Sequence, residues 1–337
     1  MLLSDFHYDL PQELIAQEPI YPRDASRMLV LHRSTGDVEH RMFRDLPSYL
    51  APGDVLVLND TKVYAARIYA RRRTGAKVEL LLLRKLDERR WEALVSPGRR
   101  ARPGETLVIG DGEVEVHVQA RTDAGGRIVE FDSAVPVEDV LKCFGRMPLP
   151  PYIKRDLEDQ ERYQTVYARE EGSAAAPTAG LHFTPEMLGK IEAMGVKLAR
   201  VTLHVGLDTF RPIHEERVED HKMHSEEYTI APEAADAVNS ATGRVVAVGT
   251  TTVRALEAAA LEDGVVRPGR RSTSLFIMPG YRFRVVDALL TNFHLPRSTL
   301  IVLVSAFAGR EKVLSAYRQA VEQRYRFYSF GDAMLIM

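Results

Sequence analysis

Residues 244–261 read Arg-Val-Val-Ala-Val-Gly-Thr-Thr-Thr-Val-Arg-Ala-Leu-Glu-Ala-Ala-Ala-Leu. The short apolar run Val245 to Val248 is rich in β-branched residues and predicts a buried strand. Gly249 breaks it. A helix then starts at Thr251 or Thr252, carries an alanine-rich stretch to Leu261 and stops near Gly264. A buried strand that feeds directly into a helix is the building unit of an α/β core.

The same punctuation recurs along the chain. Asp54 to Leu58 runs into Asn59-Asp60-Thr61, Val196 to Val205 ends around His204, and Val285 to Leu290 runs into Thr291-Asn292-Phe293-His294. Thr184 can cap a helix that has Pro185 at its first position, Leu188 and Ile191 on one face, and Gly195 just past its end. Another helix is expected from Arg310 to Arg324. The apolar run Leu300 to Ala308 is half what a bilayer needs, so it predicts a buried strand or helix. In an α/β fold, ligands sit beyond the carboxyl ends of the strands, which is where these polar clusters fall.

Residues 65–150 follow another rhythm. Arg67 to Arg71, Lys77 to Leu83, Arg90 to Val95, Glu113 to Val118 and Arg127 to Phe131 are short strand patterns. Turns such as Thr74-Gly75, Pro97-Gly98 and Pro103-Gly104 separate them, and no helix signal follows until about Val137. This predicts a small β-barrel inserted in an α/β domain made of residues 1–64 and 151–337. Met147-Pro-Leu-Pro-Pro-Tyr152 would be the return crossing. Between Lys62 and Gly104 there are 13 Lys or Arg against 4 Asp or Glu, with Arg71, Arg72, Arg73, Arg99, Arg100 and Arg102 in or beside turns. Such a patch can meet an RNA backbone or simply be a solvated basic surface.

Composition sets the frame. At 337 residues, 45% hydrophobic and 27% charged, the chain reads as a soluble protein of about two domains. A net charge of −2 excludes a wholly polybasic nucleic-acid binder. The single cysteine, Cys143, excludes an intrachain disulfide and a multi-cysteine zinc site, and its Val-Leu-Lys-Cys-Phe context predicts a core position. The N-terminus lacks a secretory signal, so a cytoplasmic protein is expected, with no membrane association. No Gly-x-Gly-x-x-Gly, P-loop or Gly-x-Ser-x-Gly elbow is present.

Three places can carry chemistry. Gly249, Thr250 and Thr251 begin a helix directly after a strand, which suits a carboxylate or phosphate; plain helix capping is the alternative. Ala176 to Pro185 contains Thr178, Gly180 and His182, and equally reads as a loop entering a helix. His214, His221 and His224 lie among Glu215, Glu216, Glu219, Asp220, Glu226 and Glu227. His221 and His224 fit one helix face, but no third ligand has zincin spacing, so no metal is expected. Acid–base work or hydrogen bonding suits these histidines better. His204 and His294 lie beside apolar strand ends, where a core histidine is the competing reading.

At these motifs the chain resembles the S-adenosylmethionine:tRNA ribosyltransferase-isomerase family of queuosine biosynthesis. The likeness runs through Arg23-Asp-Ala-Ser-Arg27, Gly53 to Thr61, Pro148 to Ile153 and Arg162-Tyr-Gln-Thr-Val-Tyr167. It continues through Gly172 to Thr184, Leu203 to Gly206, His221 to Glu226, Gly249 to Arg254, Phe276 to Tyr281, Thr291 to Thr299 and Arg324 to Met334. Asp208 stands where the motif has glycine, and Ser274 where it has aspartate.

The resemblance implies an α/β main domain, barrel-like in outline, with an inserted small β-barrel. It implies no cofactor and no metal, because S-adenosylmethionine is consumed as a substrate. The donor's ribosyl group passes to the aminomethyl group of 7-aminomethyl-7-deazaguanine in tRNA, giving epoxyqueuosine, adenine and methionine. A monomer is expected. The chemistry needs a general base and a general acid, for which His204, His294, His221, His224 and Glu226 are the candidates, with His182 beside them. Thr178, Gly180, His182, Gly249, Thr250, Thr251, Arg254 and Asn292 are expected to hold substrate, and Arg71, Arg72, Arg73, Arg99 and Arg100 to meet tRNA. A non-catalytic RNA-binding protein and an S-adenosylmethionine-dependent RNA methyltransferase are the rival readings.

Overall fold

A computed structural model of the chain describes residues 1–122, 125–155, 157–205, 215–223 and 225–337. The chain packs into two compact units, one of Met1–Lys62 with Pro150–Met337 and one of Val63–Leu149.

Before the second unit the chain forms β1 (Arg27–Leu31), β2 (Val38–Met42), β3 (Val55–Asn59) and the short β4 (Thr61–Val63). The second unit contains β5 (Arg67–Arg72), β6 (Lys77–Lys85), β7 (Arg90–Ser96), β8 (Thr106–Ile109), β9 (Val114–Arg121) and β10 (Arg127–Asp132). Helix α1 (Val137–Phe144) and the two-residue β11 (Gly145–Arg146) follow. The six strands pair in the order β5-β6-β7-β10-β9-β8, and β8 returns to β5, which closes an antiparallel barrel. Alternation explains it: Val114, Val116 and Val118 point inward while Glu115 and His117 are only half-buried. Cys143 departs from expectation. Val137, Val140 and Leu141 form the buried stripe of α1, and Cys143 lies off that stripe in solvent.

The first unit resumes with β12 (Glu170–Ser173), α2 (Pro185–Ala193), β13 (Lys197–Leu203), β14 (Glu226–Ile230) and α3 (Pro232–Asn239). Then come β15 (Val245–Val248), α4 (Thr250–Ala259), β16 (Gly269–Thr273), β17 (Ala288–Asn292), α5 (Thr299–Ala308), α6 (Arg310–Glu322) and β18 (Ala333–Ile336). Nine strands form one mixed sheet in the order β16-β14-β13-β3-β15-β17-β18-β1-β2. Its two edge strands do not pair with each other among the described residues, so the sheet is open.

The four central strands, β13, β3, β15 and β17, are mutually parallel. β3, β15 and β17 are buried on both faces, as strands between two helical layers must be, while β13 alternates, with Lys197 and Arg200 exposed. Val55 and Val57 of β3 join one core with α4, α5 and α6, while Leu56 and Leu58 join the other with α2. Thr184 caps α2 through its side chain, which accepts from the Met187 amide at 3.2 Å. The run from Leu300 is helical, in α5. Helix α4 begins at Thr250, earlier than its threonines suggest, because Gly249 turns the chain with φ +88° and no side chain caps it.

Candidate active site

Because the central strands are parallel, their carboxyl ends gather on one edge, and a cleft opens there. It measures about 950 Å³ including its open mouth. Thr178 and Ala179 form one wall, Gly249, Thr250 and Thr251 the second, and Asn292 to Ser298 the third. Tyr152, Tyr328 and Ser329 close the remaining side. Mostly apolar walls with a few convergent polar groups are what small-molecule sites present. The amide groups at the start of α4 lack intrahelical acceptors and lie at the positive end of its dipole. Thr252 turns away, donating to the Val248 carbonyl at 2.6 Å.

Asn59, at the end of β3, ties the strand ends together. Its Nδ2 donates to the Leu203 carbonyl at 3.0 Å and to Thr251 Oγ1 at 3.3 Å, while its Oδ1 accepts from the Leu203 amide at 3.0 Å. The next residue on β13's path, His204, is half-buried beside Val205 of the cleft. Its Nδ1 shares a hydrogen bond with Thr61 Oγ1 at 2.8 Å. Burial lowers its pKa, and the Glu227 carboxylate partly opposes that.

A second chain of hydrogen bonds runs beneath the cleft floor. Thr178 Oγ1 donates to Asn292 Oδ1 at 3.0 Å, and Asn292 Nδ2 donates to His182 Nε2 at 3.3 Å. His182 Nδ1 therefore carries the proton and donates to Ser26 Oγ at 2.8 Å. Burial, then the positive charges of Arg326, Arg23 and Arg162, hold His182 down to about 3. His294 is equally enclosed. Its Nε2 meets Thr291 Oγ1 at 2.8 Å, its amide donates to the Tyr317 hydroxyl at 3.1 Å, and burial lowers its pKa to about 3. Both rings are neutral near pH 7.

A family model described as queuosine biosynthesis protein matches residues 3–336. The chain belongs to this family. It is 60% identical over 341 residues to a protein of Symbiobacterium thermophilum named S-adenosylmethionine:tRNA ribosyltransferase-isomerase, with all of both chains covered. A Moorella thermoacetica protein of the same name is 58% identical, again over the whole of both chains. Among solved structures, the S-adenosylmethionine tRNA ribosyltransferase of Thermotoga maritima is 43% identical, covers 99% of this chain and 100% of its own, and superposes with a TM-score of 0.56.

The queuosine-family motifs do not all reach the cleft. Thr178, Gly249, Thr250, Thr251, Asn292 and His294 line it. His182 reaches it only through Asn292. Gly180 serves packing, since a Cβ there would fall 1.9 Å from the Tyr167 hydroxyl. Arg254 and Glu226 form a buried ion pair, with Arg254 Nε also donating to the Leu275 carbonyl at 3.1 Å. His221 lies edge-on to Phe276 at 5.5 Å and pairs with Glu215 Oε2 at 3.1 Å. It follows a single turn, Val218–Asp220, and is not on a helix. His224, His214 and Asp208 lie outside the described residues. Ser274 is exposed and does not line the cleft.

In the barrel, Arg72 is engaged by Glu105 and Arg73 by Glu115, while Arg100 donates to the Lys77 carbonyl. Arg71 and Arg99 are exposed with no carboxylate partner among the described residues. Sequence reasoning missed Tyr152 and Tyr328. Their rings pack with centroids 4.4 Å apart and planes tilted by 43°, and Tyr152 Oη meets Ser329 Oγ at 2.6 Å. Both lie in family motifs, Pro148 to Ile153 and Arg324 to Met334, but no spacing pairs residues so far apart in sequence.

Proposed function

We infer that this chain is an S-adenosylmethionine:tRNA ribosyltransferase-isomerase, working in the cytoplasm with its tRNA substrate and needing no further cofactor. Membership of the queuosine family carries the reading, and the cleft at the strand ends agrees with it. The donor fits the chemistry of the walls: Tyr152 and Tyr328 offer faces for a purine, and the start of α4 offers amides to the methionine carboxylate. In the reaction the aminomethyl group of 7-aminomethyl-7-deazaguanine attacks as the neutral amine. The carbon beside the sulfonium loses a proton to a base, and adenine and methionine leave as the ribosyl-derived carbons rearrange to epoxyqueuosine.

Proton transfer is most efficient when the group's pKa lies near the working pH. His294 and His182, held at about 3, suit fixed hydrogen bonding instead. His204 is less enclosed and has carboxylates nearby, so we assign it the acid–base role. The buried Glu226–Arg254 pair anchors β14 to α4, and His221 packs on Phe276 beside Glu215.

Incubation with S-adenosylmethionine labelled in its ribosyl group, and tRNA bearing 7-aminomethyl-7-deazaguanine, tests the activity. Label in the tRNA together with free adenine is expected. S-adenosylhomocysteine without adenine would make the protein a methyltransferase, and RNA binding without turnover would make it a non-catalytic binder.

A further inference from the structure

Two motifs singled out in the sequence have no part in the main cleft: Arg23-Asp-Ala-Ser-Arg27 and Arg162-Tyr-Gln-Thr-Val-Tyr167. The structure brings their first arginines together. Arg23, Arg162, His182 and Ser329 line a second, smaller cleft of about 240 Å³ including its open side. We propose that this cleft is a phosphate-binding subsite that holds a phosphodiester group of the RNA substrate beside the main cleft. The assignment of RNA as the source rests on the tRNA-modifying reading above.

The charge balance is unusual. Neither Arg23 nor Arg162 has a carboxylate within ion-pair distance among the described residues; Asp159 and Glu161 offset the charge of Arg23 from further away, and Asp159 that of Arg162, while burial and the Arg162 charge oppose the charge on Arg23. Their hydrogen bonds go to main-chain carbonyls. Arg23 donates to Gln164 and Leu181 at 3.0 Å each and to Glu161 at 3.2 Å, and Arg162 donates to Ile20 at 2.6 Å. A guanidinium has five N–H donors. Arg23 keeps some of its donors and Arg162 most of them, including a buried Nε with no partner. Two partly desolvated guanidiniums, each with donors left over from these main-chain bonds, match a phosphate better than any neutral group.

Position adds the link to function. Ser329 lines both clefts, and His182 connects the small one to Asn292 of the main one. An RNA strand that presents a base to the main cleft can therefore lay its backbone on Arg23 and Arg162. Holding that backbone fixes the register and is indifferent to sequence. A purely structural role, in which the arginines only tie turns together, is the competing account.

Salt titration of tRNA binding, without donor, separates the two. Arg162→Gln is the main variant, because Arg162 holds one carbonyl where Arg23 holds three. It should weaken tRNA binding about tenfold at moderate salt and make the slope of log affinity against log salt shallower by about 0.7–0.9, the counterion release of one phosphate. The melting temperature and the Michaelis constant for S-adenosylmethionine should stay near wild type. If Arg162→Gln melts early, Arg162→Lys carries the test: it keeps the charge but loses the fork, so severalfold weaker tRNA binding at normal stability is expected. Unchanged tRNA affinity in folded variants overturns the proposal. So does a raised donor constant with normal tRNA binding, which would make this a carboxylate subsite. Adenine release by the wild type is scored separately. A protein that binds tRNA through Arg162 yet frees no adenine upholds the subsite and refutes the transferase reading.

Discussion

A Cβ on Gly172 would lie 2.9 Å from Cε1 of His204 and 3.0 Å from its Nδ1, so the imidazole occupies the space that a side chain at 172 would take. The φ of +144° at Gly172 is also one that other residues avoid. Gly172→Ala should push the ring off Thr61. If His204 moves the proton, single-turnover rate falls about a hundredfold, as for loss of a general acid or base, while tRNA affinity holds. Normal turnover in this variant would take His204 out of the chemistry.

Two buried neutral histidines make stability fall in acid. His182 and His294 sit at about 3 in the native state, against 6.5 for an ordinary histidine. Below pH 6.5 the unfolded chain gains protons that the native state refuses, so their contribution is intact above that pH and is lost progressively toward pH 3. Each histidine adds up to about 1.4 kcal/mol per pH unit to this slope. Urea unfolding of His294→Gln between pH 6 and 4 should show a slope smaller by about one proton. Curves parallel to wild type would mean that the ring titrates normally.

Tyr328 lines the main cleft, and its buried hydroxyl has no hydrogen-bond partner among the described residues. An unpaired buried polar group costs about 1–3 kcal/mol. Tyr328→Phe should therefore melt at the same temperature or higher, yet raise the donor's Michaelis constant severalfold. A variant with wild-type kinetics would show that the hydroxyl meets no ligand.

The barrel arginines should divide into two kinds. Arg71 and Arg99, exposed and unpaired with carboxylates, are expected to contribute to tRNA binding. Replacing both by alanine should make the salt slope shallower by about 0.7–0.9 for each phosphate no longer neutralised. Arg72, gripped by Glu105, should matter more to barrel stability than to RNA. If Arg72→Ala weakens tRNA binding more than the double variant at unchanged melting temperature, the division is wrong.

The α/β order was legible because β3, β15 and β17 are largely apolar runs ending at or beside Asn59, Gly249 and Asn292, and the barrel because Val114, Val116 and Val118 alternate with polar residues. The cleft walls at Thr250, Thr251 and Asn292 were legible for the same reason, since strand ends are local features, and Thr178 from the loop that leads into a helix. Tyr152 with Tyr328, and Arg23 with Arg162, were not, because tertiary packing alone joins segments that are well over a hundred residues apart in sequence. Cys143 misled, since an apolar context does not say which side of a helix a residue faces.

The pairing of β3 has a consequence for how the chain can be made. Val55 to Asn59 lies between Lys197 to Val201 on one side and Val245 to Ala247 on the other. During synthesis the central strand therefore leaves the ribosome long before either neighbour exists. It stays an apolar segment with two unmatched edges while the barrel is produced. Each missing partner is distant in sequence, so its pairing is slow to form and open to error meanwhile. β1 waits longer still, because Met28 to Leu31 is completed by Ala333 to Ile336. A ribosome stalled near residue 320 should carry a folded barrel and a protease-sensitive N-terminal segment.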